Sequence, residues 1–490
     1  MNSVETQIDR QRTAIHRTEM SRPIRLALGD HVIGADVLDY GCGRGDDVRF
    51  LNGLGISARG WDPLILPTGD RSAADTVNLG FVLNVIEHGP ERADTLRSAW
   101  SLSKSVLIVS ARLVNEARDV SGQAYGDGCL TKTRTFQKFY EQNELRLWIE
   151  SVLGVSPVAA APGVFYVFRD EDRRESFVAS RVRRRTATFR ASRAIDRFSS
   201  HQELLSPLLE FLETRGRLPR EEESHEFAAL IKAFGSLKRA YRVVVRATGE
   251  EPWTRARNER SQDILVYLAL ARFGGRPRRK VLPVALNSDV RAFFGTYRKA
   301  CEAGDELLFR AGSQHALDEA FASAIVGKRT QSALYVHRTA LETLPPVLRV
   351  YEGCAHVLVG EVEGANIIKL HRDHPQISYL SYPNFDSDPH PALQGSLLVN
   401  LRSFKTSYRE YSESDNPPVL HRKEQFVAEG YECREQFAAL TKDEENAGLY
   451  EDPTGIGARL AWDRLLAEKG IRIDDHRIHL VNLLPPKDEL

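Results

Sequence analysis

Residues 37–47 read Val37-Leu38-Asp39-Tyr40-Gly41-Cys42-Gly43-Arg44-Gly45-Asp46-Asp47: a short apolar run, an acidic residue, then glycine at every second position. Val37 and Leu38 suit the buried end of a parallel strand. Gly41, Gly43 and Gly45 let the chain turn sharply and bring its backbone close to a ligand, where a Cβ would intrude. Asp39 at the strand tip can accept a hydrogen bond from a ligand ammonium. Dinucleotide enzymes use a related loop, but there phosphate sits against an open helix start. Here Asp39, Asp46 and Asp47 surround the turn with negative charge, which repels phosphate and attracts ammonium or sulfonium. Downstream, Ala58-Arg59-Gly60-Trp61-Asp62-Pro63 places a second carboxylate, Asp62, at the end of the next expected strand, where ribose hydroxyls are gripped in doubly wound sheets.

Both halves fit S-adenosylmethionine. The pattern resembles the class I S-adenosylmethionine-dependent methyltransferases, whose first motif is an apolar strand ending in Asp-x-Gly-x-Gly-x-Gly. The resemblance implies a Rossmann-like α/β domain in which Asp39, Gly41, Gly43 and Gly45 hold the amino-acid part of the cofactor and Asp62 the ribose. Tyr40, Cys42, Asp46 and Trp61 complete the expected cofactor-binding set. In that fold the acceptor lies beside the loop after the fourth strand, which here is Asn78-Leu79-Gly80-Phe81. Methyltransferases of base amino groups carry Asn or Asp, two prolines and an aromatic there. The carboxamide accepts hydrogen bonds from the exocyclic amine while the ring stacks on the extruded base. Asn78 and Phe81, the expected catalytic pair, keep the first and last elements. Leu79 and Gly80 replace the stiffening prolines, and Phe81 is otherwise a core residue at a plain strand end. Asn84, Glu87 and His88 are further polar candidates, with a helix end as the alternative role of His88.

The elements that must hold these residues begin with a helical lead-in, Ala14 to Leu28, interrupted at Pro23 and expected to cover the cofactor cleft. After Asp62 the chain soon reaches the strand-like Ala74-Asp75-Thr76-Val77-Asn78-Leu79, so one strand-helix unit is shortened. That leaves the adenine-contacting residues unassigned. A helix is expected over 82–88, another over 93–100, a buried strand over 105–110 and a helical stripe over 135–153. Two closing strands, 156–161 and 164–168, meet at Pro162-Gly163. The charged stretch 170–197 reads as a linker or exposed helix. Helical periodicity repeats over 200–330, and short β-like runs at 356–359, 366–370 and 376–380 follow. A helix from Ile456 to Lys469 ends at Gly470. The expected division is a cofactor domain over 1–175, a mainly helical basic region over 176–330 and a mixed α+β domain over 331–490.

With 42% hydrophobic and 27% charged residues the chain of 490 is ordinary for a soluble globular protein of two to four domains. Residues 1–30 lack an apolar core of signal-peptide length, and no apolar run approaches a membrane span, so a cytoplasmic protein is expected. Cys42, Cys129, Cys301, Cys354 and Cys433 show no paired spacing, against a disulfide framework or zinc knuckle. The net charge is zero, yet arginine concentrates in the middle: Arg181, Arg183, Arg184, Arg185, Arg190 and Arg193, then Arg272, Arg276, Arg278, Arg279 and Lys280. This is either a nucleic-acid footprint or a solvated helix face.

Two patterns mislead. Asn416-Pro417-Pro418-Val419 imitates the amino-methyltransferase signature, but its fourth residue is not aromatic and a turn explains it. His371, Asp373, His374, Asp386, Asp388 and His390 are metal-ligand types without a zinc spacing, and no metal is expected. Over the whole chain, the Asp39–Asp47 motif, Gly60-Trp61-Asp62-Pro63, Val77 to Glu87, Tyr351-Glu352-Gly353-Cys354, Asn366-Ile367-Ile368-Lys369-Leu370 and Asn416 to Glu424 together resemble the bacterial DNA phosphorothioation-associated methyltransferases. That resemblance implies DNA as partner, proteins of a phosphorothioation defence system as further partners, and methyl transfer to a base amino group. A noncatalytic DNA-binding or regulatory component, and a methyltransferase of RNA or a small molecule, stand as alternatives. Oligomeric state is not encoded in any of these patterns.

Overall fold

The computed structural model describes residues 8–119, 122–182, 202–220, 223, 227–452 and 456–480. By their contacts the residues group into two units, one of 1–169, 324–343 and 352–490, the other of 170–323 and 344–351. The first and last of the three stretches read from the sequence therefore share a unit.

The first unit opens with α1 (Arg22–Gly29), β1 (Asp36–Tyr40), α2 (Asp46–Gly53), β2 (Ser57–Trp61), β3 (Ala74–Gly80), α3 (Gly89–Leu102) and β4 (Ser103–Ser110). The small strands β5 (Gly122–Tyr125), β6 (Gly128–Thr131) and β7 (Phe136–Gln137) follow, then α4 (Gln142–Leu153), β8 (Val158–Ala161) and β9 (Val164–Phe168). Six of these strands form a sheet in the order β2-β1-β3-β4-β9-β8. The first four run parallel, and β9 runs antiparallel to both β4 and β8, so the expected hairpin at Pro162-Gly163 closes the sheet. Residues 62–73 cross from β2 to β3 without a helix, which is the shortened unit. Because β1 has β2 on one side and β3 on the other, the winding reverses at β1. The carboxyl ends of β1 and β3 thus open the crevice where ligands bind in such sheets.

Leu38, Tyr40, Val77, Leu79, Leu107 and Val109 pack with Leu96 and Ala99 of α3 and Leu145 and Ile149 of α4. Side chains alternate along a strand, so Asp39 and Asn78 lie on the opposite face. Burying eight such aliphatics contributes on the order of 10 kcal/mol or more before chain entropy is set against it.

The expected helix over 82–88 is not formed. Asn84 Nδ2 donates to Lys138 O at 2.5 Å and its Oδ1 accepts from Arg112 N at 2.9 Å, and these long-range bonds compete with a helical turn. The helix starts instead at Gly89 with Pro90 in its first turn, where the missing N–H costs nothing. The stripe over 135–153 is helical only from Gln142, after Glu141 and Glu144 close a capping box; Phe136–Gln137 pairs with β6. Pro23 likewise begins α1 rather than interrupting it.

The second unit is helical, as expected: α5 (Glu171–Val182), α6 (Gln202–Arg215), α7 (Ala228–Phe234), α8 (Leu237–Thr248), α9 (Glu251–Leu270), α10 (Val284–Phe294), α11 (Tyr297–Ala311) and α12 (Gln314–Ser323). Leu205, Leu208, Leu212, Val244 and Trp253 form one apolar core, and Ile264, Leu268, Leu286 and Val290 another. Asp289, fully buried, receives Arg217 at 2.7 Å, Arg260 at 2.9 Å and Arg215 at 3.3 Å.

The first unit resumes with a six-stranded antiparallel sheet of β10 (Lys328–Arg329), β11 (Ala333–His337), β12 (Ile367–His371), β13 (Gln376–Ser381), β14 (Gly395–Asn400) and β15 (Thr406–Glu410), in chain order. The expected strand over 356–359 is instead the last turn of a helix, α13 (Pro346–Val359), because a short apolar run alone does not distinguish a strand from a buried helix segment. The helices α14 (Arg434–Asn446) and α15 (Arg459–Lys469) and the hairpin of β16 (Ile471–Asp474) and β17 (Arg477–Leu480) complete the mixed α+β part. Gly360 rests on the first sheet's hairpin so closely that a Cβ would lie 2.4 Å from Ala160 C, while Glu361 N donates to Ala160 O at 2.7 Å. Among the described residues no helix is long and apolar enough to cross a membrane.

Candidate functional site

Asp39 and Asn78 stand directly opposite each other on β1 and β3 at the reversal of the sheet, and Asn78 Nδ2 donates to Asp39 Oδ1 at 2.8 Å. Both are buried, at 5% and 1% exposure. Burial, reinforced by the negative charges of Asp47 and Asp62 and opposed by Asn78 and Arg17, pushes the Asp39 carboxyl up to about 7. Asn78 Oδ1 is a buried acceptor without a hydrogen-bond partner. The pair therefore has capacity left for a cation and for an N–H donor.

The turn that follows takes positive φ at Gly41, Gly43 and Gly45, at 85°, 52° and 73°. At Gly41 a Cβ would sit 2.4 Å from Val82 Cγ2, so glycine is demanded by both conformation and space. Asp62 reaches back from the end of β2 to accept from Gly43 N at 3.1 Å with Oδ2, while Oδ1 accepts from Leu64 N at 2.9 Å and Ile65 N at 3.0 Å. A carboxylate has about four acceptor sites, so one remains for an outside donor. Tyr40 and Trp61 pack on each other with centroids 4.8 Å apart, and Tyr40 belongs to the core. Cys42 is buried and its thiol is pushed up to about 12 by burial and by Asp39 and Asp62, so it is protonated and inert at neutral pH.

Asp46 and Asp47 face the lead-in segment. Asp46 accepts from Arg17 N at 2.6 Å and Arg49 Nη2 at 2.7 Å, and Asp47 from Ser21 N at 2.7 Å. The Arg17 backbone bond, with Arg49, holds Asp46 below its ordinary carboxylate range. Residues 9–21 thereby run as a strap over the turn. Arg44 Nε donates to Ala14 O, and Arg10 grips Glu87 and Glu91 with four hydrogen bonds of 2.6–2.9 Å.

Neither a protein-family model nor a curated protein matches this chain. The site must be read from its own geometry.

Phe81 directly follows β3 at φ 58°, a left-handed conformation that a bulky residue adopts only when its surroundings impose it, and its N–H donates to Ser110 O and Oγ. Such strain concentrates at ligand sites. His88 is the N-cap of α3, Glu87 is held by Arg10, and Asn84 ties loops together. Sequence reasoning passed over Leu64, Ile65 and Leu66, which expose three aliphatic side chains immediately beyond Asp62. Three consecutive exposed aliphatics beside the Asp62 carboxylate make an apolar surface, and the run after Asp62-Pro63 was the available signal.

The metal-type residues disperse. His371 Nε2 bonds Ser378 Oγ, Asp386 accepts from Tyr431, and His390 Nε2 lies 2.6 Å from Glu444 Oε1. Among the described residues no group of three or more His, Cys, Asp or Glu gathers to hold a metal. In the Asn416-Pro417-Pro418-Val419 decoy, Asn416 accepts from Leu460 N and the last two residues make isolated bridges. Of the basic groups, Arg276 is spent on Asp305 at 2.7 Å, and Arg183, Arg184, Arg185, Arg190 and Arg193 lie outside the described residues.

Proposed function

We propose that this protein is an S-adenosylmethionine-dependent methyltransferase that acts on an amino group of a DNA base, as part of a bacterial DNA phosphorothioation system. The observation that carries the reading is the Asp39–Asn78 pair. It places a buried carboxyl, still short of a positive partner, beside an orphan acceptor at the mouth of a glycine turn. Phosphate would be repelled there. An ammonium or sulfonium would be held, with Asp39 receiving the amino-acid part and Asp62 taking the ribose.

S-adenosylmethionine supplies a sulfonium-borne methyl group that is reactive without further activation. What remains for the chain is alignment and exclusion of water. The strap of residues 9–21 covers the turn, and Phe81, held rigidly after β3, offers a ring on which an extruded base can stack.

A second reading is favoured by the same hydrogen bond. Asn78 spends its NH2 on Asp39 and is 1% exposed, so its carboxamide is not presented to an acceptor as an open loop would present it. In that reading the cofactor fold is retained in a noncatalytic DNA-binding or regulatory component. Incubation with tritiated S-adenosylmethionine and DNA, RNA or protein fractions decides between them. Label in DNA that disappears in Phe81→Ala, with cofactor binding unchanged by calorimetry, supports the enzyme. Cofactor binding without label in any fraction supports the regulatory component, and absence of cofactor binding defeats both.

A further inference from the structure

The helix α8, Leu237-Lys238-Arg239-Ala240-Tyr241-Arg242-Val243-Val244-Val245-Arg246-Ala247-Thr248, carries four cations and no acid. Lys238, Arg239, Arg242 and Arg246 are all exposed. Among the described residues none of the four makes an ion pair. Other arginines of the unit are neutralised. There Arg215, Arg217 and Arg260 converge on Asp289, Arg276 is clamped by Asp305, and Arg349 meets Asp263 at 2.7 Å.

The arrangement opposes the helix's own stability. Lys238 with Arg242, and Arg242 with Arg246, are like charges four residues apart, which repel on a helix surface. Lys238 and Arg239 also occupy the first turn, where the macrodipole disfavours positive charge, and no acidic residue offsets them. Each such pair costs a fraction of a kcal/mol, which a bound polyanion would relieve. Ser236 caps the helix by accepting from Arg239 N, and Ala240 and Val244 anchor it in the core, with Leu237, Tyr241 and Val245 packed alongside. The repulsion is held in place by packing.

We infer that the exposed face of α8, through Lys238, Arg239, Arg242 and Arg246, docks the phosphate backbone of double-stranded DNA. The occupant rests on the DNA reading proposed above; the cationic face itself does not. Two features fit a nucleic-acid backbone, and the first of them disfavours a membrane. The apolar side of α8 is consumed by the core, so nothing is left to enter a bilayer, which an interfacial helix requires. Three of the four cations are arginine, whose planar fork suits phosphate, and the run from Arg239 to Arg246 spans about 10 Å at a rise of about 1.5 Å per residue. Along that length duplex DNA presents one charge per ~1.7 Å.

The test is binding of a labelled DNA duplex to the full chain by fluorescence anisotropy across a potassium chloride series. It compares the wild type with the triple variant Arg239→Ala, Arg242→Ala, Arg246→Ala. The exposed Arg298, paired with Glu302, serves as control through Arg298→Ala. Loss of three phosphate contacts should flatten the slope of log K against log salt by about 2.7. Between about 50 and 200 mM salt the wild type should therefore lose about 40-fold more affinity than the triple variant, with Arg298→Ala behaving as wild type. An unchanged slope in the triple variant overturns the inference, as does wild-type binding to duplex RNA or anionic vesicles in preference to DNA. Matching thermal midpoints exclude unfolding as the cause. Calorimetry with S-adenosylmethionine keeps the two proposals apart. Lost DNA binding in the triple variant, with no cofactor heat in the wild type, removes the methyltransferase and keeps α8. Undiminished DNA methylation and binding by the triple variant does the reverse.

Discussion

A carboxyl held at about 7 should make the proposed cofactor binding depend on pH in a way that an ordinary aspartate would not. Asp39 is fully buried, and only its ionised form attracts an ammonium or sulfonium. The ionised fraction rises from about 3% at pH 5.5 to about 50% at pH 7, so affinity for S-adenosylmethionine should tighten about 15-fold over that range. The ligand's own α-amino group, with an ordinary pKa of about 7.7–8.0, stays mostly protonated there and does not mask the effect. Isothermal calorimetry in two buffers of different ionisation enthalpy should register release of up to about half a proton per ligand at pH 7. The variant Asp39→Asn keeps the hydrogen bond from Asn78, and should bind weakly with a flat profile. Its stability tells the same story in the opposite direction. Because the folded-state pKa is raised from its ordinary 3.8, the contribution of Asp39 is most favourable at low pH and is lost as pH rises toward 7. At pH 8 Asp39→Asn should therefore be more stable than wild type, by up to about 4 kcal/mol in urea unfolding. Wild-type affinity that ignores pH, or a slope that survives in Asp39→Asn, would refute the assignment of Asp39 as the cation-holding group.

Three other outcomes are expected. Gly41→Ala must find room against Val82 at φ 85°; it should cost about 1–3 kcal/mol in thermal or urea unfolding and weaken cofactor binding, and an unshifted midpoint counts against the close approach. Asp289→Ala strands Arg260 in the interior and leaves Arg217 with Glu223 as its remaining acid, so unfolding free energy should fall by about 3–5 kcal/mol, and a loss below 1 kcal/mol would mean the guanidiniums reach solvent. His421, held neutral by burial and the neighbouring His390 at about 3, gains a proton on unfolding below pH 6.5, so stability is present above that pH and lost as pH falls. Between pH 7 and 5 the wild type should lose about 2 kcal/mol relative to His421→Asn, and a constant difference would show that the imidazole is solvated.

The glycine turn and the parallel strands were legible because they are local: an apolar run, glycines where φ is positive, and carboxylates at strand tips all lie within a few residues of one another. The helical middle and the missing helix between β2 and β3 were legible for the same reason, one from periodicity and the other from spacing. What failed was decided by distant partners. The turn over 82–88 is fixed by Lys138 and Arg112, and the strand expected at 356–359 joined a longer helix because its apolar run continues the buried side of residues that precede it. Nor does the sequence reveal that Asn78 bonds Asp39 across two strands or that the strap consumes Asp46 and Asp47, since both depend on which segments the sheet brings together.

The Asp39–Asn78 contact carries both the cofactor reading and its rival, and the difference lies in what happens to the amide. If a bound cation takes over Asp39, its carboxylate no longer depends on Asn78 for a donor. The Asn78 NH2 then becomes available, and its orphan Oδ1 can accept from an incoming amine without breaking anything. The buried pair in that case is the resting form of two neighbouring sites, one for the donor and one for the acceptor. If instead the pair stays closed and Asn78 remains buried when ligand is present, no amine reaches its oxygen. Methyl transfer would then require a different acceptor-holding group, and the rigid, strained Phe81 would be left to stack without a partner for the amine.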